Sequence, residues 1–184
     1  NLTSTSLTLN WNASTDNIAV TGYDVYQNGM KINVAAVTVT TYNVTGLSQA
    51  SSYSFYVRAL DGAGNVSANS NTVNVTTPDV QAPTAPSGLA SSNLASTSLT
   101  LSWTTSTDNV GVSGYDVYRN GIKINVSAVT TTSYNVAGLT ASTAYSFYVQ
   151  AFDAAGNFSA NSNTINVTTP APTGCTGTGA INYQ

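Results

Sequence analysis

Histidine and glutamate are absent from this 184-residue chain, cysteine occurs once, and lysine and arginine together number four against seven aspartates. Without histidine or glutamate, these residues cannot build a serine–histidine triad, a zinc site of cysteine and histidine, or a paired-glutamate glycosidase site. The reading is therefore non-enzymatic, and no cofactor is expected. Four scattered basic residues and a net charge of −3 exclude the clustered positive surface that nucleic acid requires. No apolar run approaches the roughly 20 residues of a membrane-spanning helix, so membrane insertion is not expected. Only 6% of residues are charged, against about 25% in ordinary soluble domains. Asparagine, serine and threonine supply the polar surface instead, while 41% hydrophobic residues suffice for a buried core.

What is present is a repeat. Trp11 recurs as Trp103, Gly22-Tyr23 as Gly114-Tyr115, Asn28-Gly29 as Asn120-Gly121, Tyr53 as Tyr145, and Thr76-Thr77-Pro78 as Thr168-Thr169-Pro170, always at an offset of 92. Residues 1–78 align with 93–170 without a gap, and 55 of those 78 positions are identical. Self-similarity at this length means two copies of one folded unit. All five prolines (Pro78, Pro83, Pro86, Pro170 and Pro172) fall at the margins of the copies, where a residue without an N–H breaks no sheet ladder. The expected organisation is a first repeat over 1–78, a short semi-stiff linker over 79–85, a second repeat over 86–170, and a Gly/Thr-rich tail over 171–184. Ala85 to Ala90 reads as an edge strand leading into the second repeat, and the first repeat has no counterpart to it. The expectation is that the first strand of that repeat is missing and that the tail leads toward a further module.

Strand signals are short runs alternating at period two between turn residues, with no helical stripe. In the second copy Ser98 to Trp103 places Leu99, Leu101 and Trp103 on one face, and Tyr115 to Tyr118 places Tyr115 and Val117 on one face. Asn120-Gly121 closes a hairpin, because both central positions of a type I′ turn need positive φ. Tyr134 to Val136, Tyr145 to Ala151 and Asn163 to Thr168 complete the set. About seven strands in about 90 residues is an all-β sandwich count.

These residues resemble the fibronectin type III family over both copies. Trp103 ends the second strand, Gly114-Tyr115-Asp116-Val117-Tyr118-Arg119-Asn120-Gly121 follows, and Leu139 stands six residues before Tyr145. The resemblance implies two tandem seven-stranded immunoglobulin-like sandwiches, with Trp11 and Trp103 in the cores. It also gives Tyr53 and Tyr145 the role of a tyrosine corner, whose hydroxyl bonds back to the chain. The stretch from Ser106 to Gly121 is most similar to the bacterial form, found as accessory modules of secreted chitinases and other polysaccharide-degrading enzymes. That implies an extracellular, secreted or surface-exposed spacer whose partners are the flanking domains of the same polypeptide. An adhesin or a self-associating fibre segment is the alternative.

Two sets of residues are candidates for contact. If Tyr115 and Val117 face inward then Tyr118 faces out, and Tyr148 likewise; the same logic places Tyr26 beside Tyr56. Each pair is a candidate aromatic platform for polysaccharide or protein, or an ordinary cross-strand pair. The second set is acidic, with Asp16 and Asp108 in one loop and Asp61 and Asp153 in another at the same pole of the sandwich. These are weak calcium candidates, because Ca²⁺ takes six to eight oxygens and Asp is an ordinary turn former. Eight Asn-X-Ser/Thr triplets, at Asn1, Asn12, Asn43, Asn65, Asn74, Asn125, Asn157 and Asn166, do not track the repeat. Cys175 lies in the tail, where pairing with a cysteine elsewhere in a longer chain is the expectation.

Overall fold

The computed structural model describes residues 1–172; residues 173–184 of the tail, Cys175 among them, lie outside the described residues. The chain divides into two compact units, Asn1–Val80 and the part from Gln81 onward. The first comprises β1 (Ser6–Asn10), β2 (Val20–Gln27), β3 (Met30–Lys31), β4 (Thr41–Thr45), β5 (Ser52–Asp61) and β6 (Val73–Thr76). The second comprises β7 (Ser87–Ser92), β8 (Ser98–Thr104), β9 (Val112–Arg119), β10 (Ile122–Lys123), β11 (Ser133–Ala137), β12 (Ala144–Asp153) and β13 (Ile165–Thr168). All described elements are strands.

In the second unit a three-stranded sheet in the order β11-β8-β7 accompanies a four-stranded sheet in the order β10-β9-β12-β13. Their inner faces supply Leu99, Leu101, Trp103, Tyr115, Val117, Val136, Phe147 and Val149 to one buried cluster. The first unit repeats the four-stranded sheet as β3-β2-β5-β6, but its other sheet is the pair β1-β4. No strand among residues 1–80 corresponds to β7.

Local chemistry sets the register. Asn28 and Gly29 have φ of 50° and 82°, and Asn120 and Gly121 have 52° and 81°, the backbone that joins β2 to β3 and β9 to β10. The turn asparagines do more than tolerate positive φ. The Asn120 side-chain oxygen accepts the N–H of Ser146 at 2.8 Å while its own N–H donates to the Ser146 carbonyl at 2.9 Å, so the turn is pinned to β12. Asn28 holds Ser54 in the same way. Gly22 follows a register shift in β2, and a Cβ there would lie 2.8 Å from that of Ala36, so only glycine fits.

Two strands start later than the sequence reading places them. The edge strand runs from Ser87 to Ser92 rather than from Ala85, since Pro86 cannot donate to the ladder and Gly88, at φ 63°, makes the register shift that follows Ser87. The last strand begins at Ile165 rather than Asn163, because Asn163 uses its side chain, not its backbone, to bind Leu89.

Candidate aromatic contact site

Alternation along β2 sends Tyr23 and Val25 into the core, 5% and 0% exposed, and turns Tyr26 outward. In β5, Phe55 is buried and Tyr56 emerges on the outer face. Tyr26 and Tyr56 are direct cross-strand partners, as are Tyr118 and Tyr148. The rings of the first pair stack with centroids 4.7 Å apart and planes 8° from parallel, and those of the second at 4.6 Å and 9°. All four are half-buried.

This geometry is a cross-strand stack, one of the two arrangements the sequence leaves open for these pairs. Side chains stand roughly perpendicular to a sheet. Two parallel rings on neighbouring strands therefore turn their faces to one another and their edges and hydroxyls to solvent. A polymer approaching the sheet meets edges rather than a flat π surface. In the first repeat Arg58 also lies over the pair, its guanidinium carbon 5.2 Å from the Tyr26 centroid and 5.9 Å from that of Tyr56. Position 150 of the second repeat is glutamine; there Arg119 lies instead 5.7 Å from the Tyr145 ring. Burial, followed by the Asp116 carboxylate, holds the Tyr118 phenol above its ordinary value.

Beside each stack is a polar cluster that sequence reasoning missed. Asn125 is 5% exposed; its amide nitrogen donates to the carbonyls of Tyr115 (3.2 Å) and Ser127 (2.9 Å) and to Asp116 Oδ1 (3.2 Å), and its oxygen accepts from Val117 N–H at 2.7 Å. Asp116 in turn pairs with Lys123 at 2.7 Å. Asn33, Asp24 and Lys31 repeat the arrangement. The available signal was that all three residues are identical in both copies; it was lost among the many asparagines. The Asn125 triplet cannot carry a glycan in the folded chain.

At the opposite edge Tyr53 and Tyr145 accept the backbone N–H of Ser48 (2.8 Å) and Thr140 (2.9 Å), bonds that lower both phenols below their ordinary value. Thr77 and Thr169, 1% and 2% exposed, donate to the carbonyls of the same Ser48 and Thr140 at 2.6 Å. Trp103 packs edge-on to Tyr115 with centroids 5.4 Å apart and is 6% exposed. Trp11 meets Tyr23 in the same manner at 5.3 Å, but it is half-buried and lines a groove rather than sitting within the core.

The acidic loops are built as turns. Asp16 Oδ2 accepts the N–H groups of Ile18 and Ala19, and Asp108 Oδ2 those of Val110 and Gly111. Asp61 accepts from Ala63 N–H and from both nitrogens of Asn65, and the Asn65 bonds lead in lowering its pKa. Asp153 is held by Asn157 likewise; burial raises its carboxyl, but these hydrogen bonds outweigh it and the net shift is downward. In the second repeat Asp108 and Asp153, from the two loops at that pole, bring carboxylate oxygens within 4.8 Å of each other.

The fibronectin type III domain model matches residues 1–76 and again 84–168. The chain belongs to the fibronectin type III family. As a fibronectin type III tandem it is 52% identical over 177 residues to Chitinase A1 of Niallia circulans, covering 94% of this chain and 25% of that protein. It is 45% identical to Exoglucanase B of Cellulomonas fimi, covering 94% of this chain and 16% of that one, and 44% identical to Endoglucanase B of the same species, covering 91% and 17%. The tandem thus spans a quarter or less of these relatives. Among solved structures, titin domains A168–A170 share its fold at a TM-score of 0.60 with 19% identity, covering 92% of this chain and 60% of that one. No described helix is long and apolar enough to cross a membrane.

Proposed function

We propose that the chain is a non-catalytic pair of spacer and presentation modules within a larger secreted or surface-exposed bacterial protein that degrades polysaccharide. One observation carries this reading: both repeats align along almost their whole length with a minor part of a chitinase, an exoglucanase and an endoglucanase. The modules' own chemistry supports it. The outward tyrosines are engaged with one another, and the loop aspartates are engaged by their own turns. Each repeat is a self-contained sandwich, and the proline-marked segment over 79–85 is the linker of a stalk whose partners are the flanking domains of the same polypeptide.

The test is retention of the purified chain on insoluble chitin and cellulose, with light scattering of the supernatant. A monodisperse monomer left in solution is expected. Retention abolished by a Tyr118→Ala/Tyr148→Ala double substitution would overturn the spacer reading in favour of polysaccharide binding. Concentration-dependent assembly without retention would overturn it in favour of an adhesin or fibre segment.

A further inference from the structure

The tyrosines differ in what their hydroxyls and rings meet. Tyr23 and Tyr115 accept the N–H groups of Ser14 and Ser106, and Tyr53 and Tyr145 those of Ser48 and Thr140, so these phenols are tied to the chain. Tyr42 and Tyr134 stand opposite Leu9 and Leu101 in register. The hydroxyls of Tyr26, Tyr56, Tyr118 and Tyr148 have no protein partner among the described residues and point away from the sheet. Ring contacts separate the groups further. Tyr23 and Tyr115 meet tryptophan, and Tyr53 and Tyr145 meet phenylalanine, whereas Tyr26 meets Tyr56 and Tyr118 meets Tyr148. Among the described residues these are the two places where two phenols lie face to face. Each joins the two central strands of a four-stranded sheet.

We propose that each pair is an oxidative cross-linking site, at which a one-electron oxidant, such as a haem peroxidase supplied with hydrogen peroxide, joins the two rings as a dityrosine within one sandwich. In this step each phenol gives up one electron and its hydroxyl proton, and the two phenoxyl radicals form a carbon–carbon bond between carbons ortho to their oxygens. The ring hydrogens at those carbons then move to the oxygens and restore both phenols. The pair has lost two electrons and two protons, which reduce one hydrogen peroxide to two waters. The geometry favours this route over coupling between chains. Centroids 4.7 and 4.6 Å apart hold the second radical beside the first, and partners directly opposite in register carry their ortho carbons at the same height above the sheet. The rings are half-buried, with their outer edges open to a small oxidant. A sequence with one cysteine can close no disulfide within itself; the biphenol ties β2 to β5 and β9 to β12 covalently instead. The repeats differ in one respect. Arg58 lies over both rings of the first pair, where a cation opposes withdrawal of an electron, whereas position 150 is glutamine.

The experiment exposes the folded chain to peroxidase and limiting hydrogen peroxide, and reads biphenol fluorescence, intact mass and cross-linked peptides. The expected product is a monomer lighter by two hydrogen atoms for each closed pair, with the links mapped to Tyr118–Tyr148 and Tyr26–Tyr56. Its yield per chain should not change on about tenfold dilution, because both phenols belong to one molecule. The second pair should close first, and Arg58→Gln should bring the first pair up to its rate. Tyr148→Phe keeps a ring in the stack but cannot form the second radical, so that variant should lose the Tyr118–Tyr148 link and keep the other. A covalent link restricts the unfolded chain, so oxidation should raise the urea midpoint of the second repeat in the parent and not in Tyr148→Phe. Absence of biphenol from the folded chain under conditions that convert free tyrosine would overturn the proposal. So would links formed chiefly between chains, or a set of links the same as that of the urea-unfolded chain.

Discussion

The side-chain oxygen of Asn125 accepts the backbone N–H of Val117 at 2.7 Å, a bond from an intervening loop to a strand whose side chains are wholly buried at that point. With its three donated bonds, it makes Asn125 the polar centre of the second repeat. Asn125→Ala would leave the buried Val117 N–H without this acceptor and take one donor from the buried Tyr115 carbonyl and from the Asp116 carboxylate, and an unsatisfied buried group costs about 1–3 kcal/mol. The expected loss is about 3 kcal/mol, or about 12–24 °C in the transition of a domain this size. Scanning calorimetry should show the second repeat's transition falling while the first repeat's stays; an unshifted thermogram would remove Asn125 from the core. In a glycosylating host, peptide mass spectrometry should find Asn125 unmodified even where exposed Asn12 is occupied.

Trp103→Ala should cost the second repeat about 3–5 kcal/mol, the usual range for deleting a buried aromatic. Trp11→Ala should cost the first repeat about half as much, because that ring is only partly buried. Urea denaturation of the two variants measures the difference. Equal costs would mean that the groove beside Trp11 is closed in solution.

The contrast between the two tryptophans shows what the sequence can and cannot reveal. Period-two alternation, the Asn-Gly turns and the offset of 92 made the all-β tandem legible, because each is a local rule. Trp11 and Trp103 sit in nearly identical local sequence, and their different burial comes from a strand about 12 residues upstream of Trp103. Alternation also placed Tyr118 and Tyr148 outward, but the ring torsions that turn a platform into a stack are set by the cross-strand neighbour. Asn33 and Asn125 were obscured for a different reason: a buried asparagine has no periodic signature, and a surface rich in asparagine hides it.

If the tyrosines mainly hold the sheet together, their energies should be coupled. A double-mutant cycle on Tyr118 and Tyr148 is expected to give a favourable coupling of about 0.5–1.5 kcal/mol. The Tyr26–Tyr56 cycle should give a value that drops when Arg58 is replaced by glutamine, the residue at position 150, since that removes the cation above the rings. A coupling of zero in both repeats would mean that the rings do not meet in solution and that their faces are free for a ligand.

Acid should weaken the first repeat through Asp61. Its carboxylate accepts hydrogen bonds from Asn65 and Ala63 that only the charged form fully uses, so its folded pKa lies below the unfolded value of about 4. A depressed carboxyl pKa contributes stability that is present above the unfolded value and is lost as pH falls through the folded one. The melting temperature of the first repeat should therefore hold from neutrality down to about pH 5 and decline below about pH 4. Asp61→Asn removes that titration; the variant should start lower at neutral pH and decline less steeply on acidification. Parallel curves for the two proteins across that window would show that the Asp61 turn is not the titrating element.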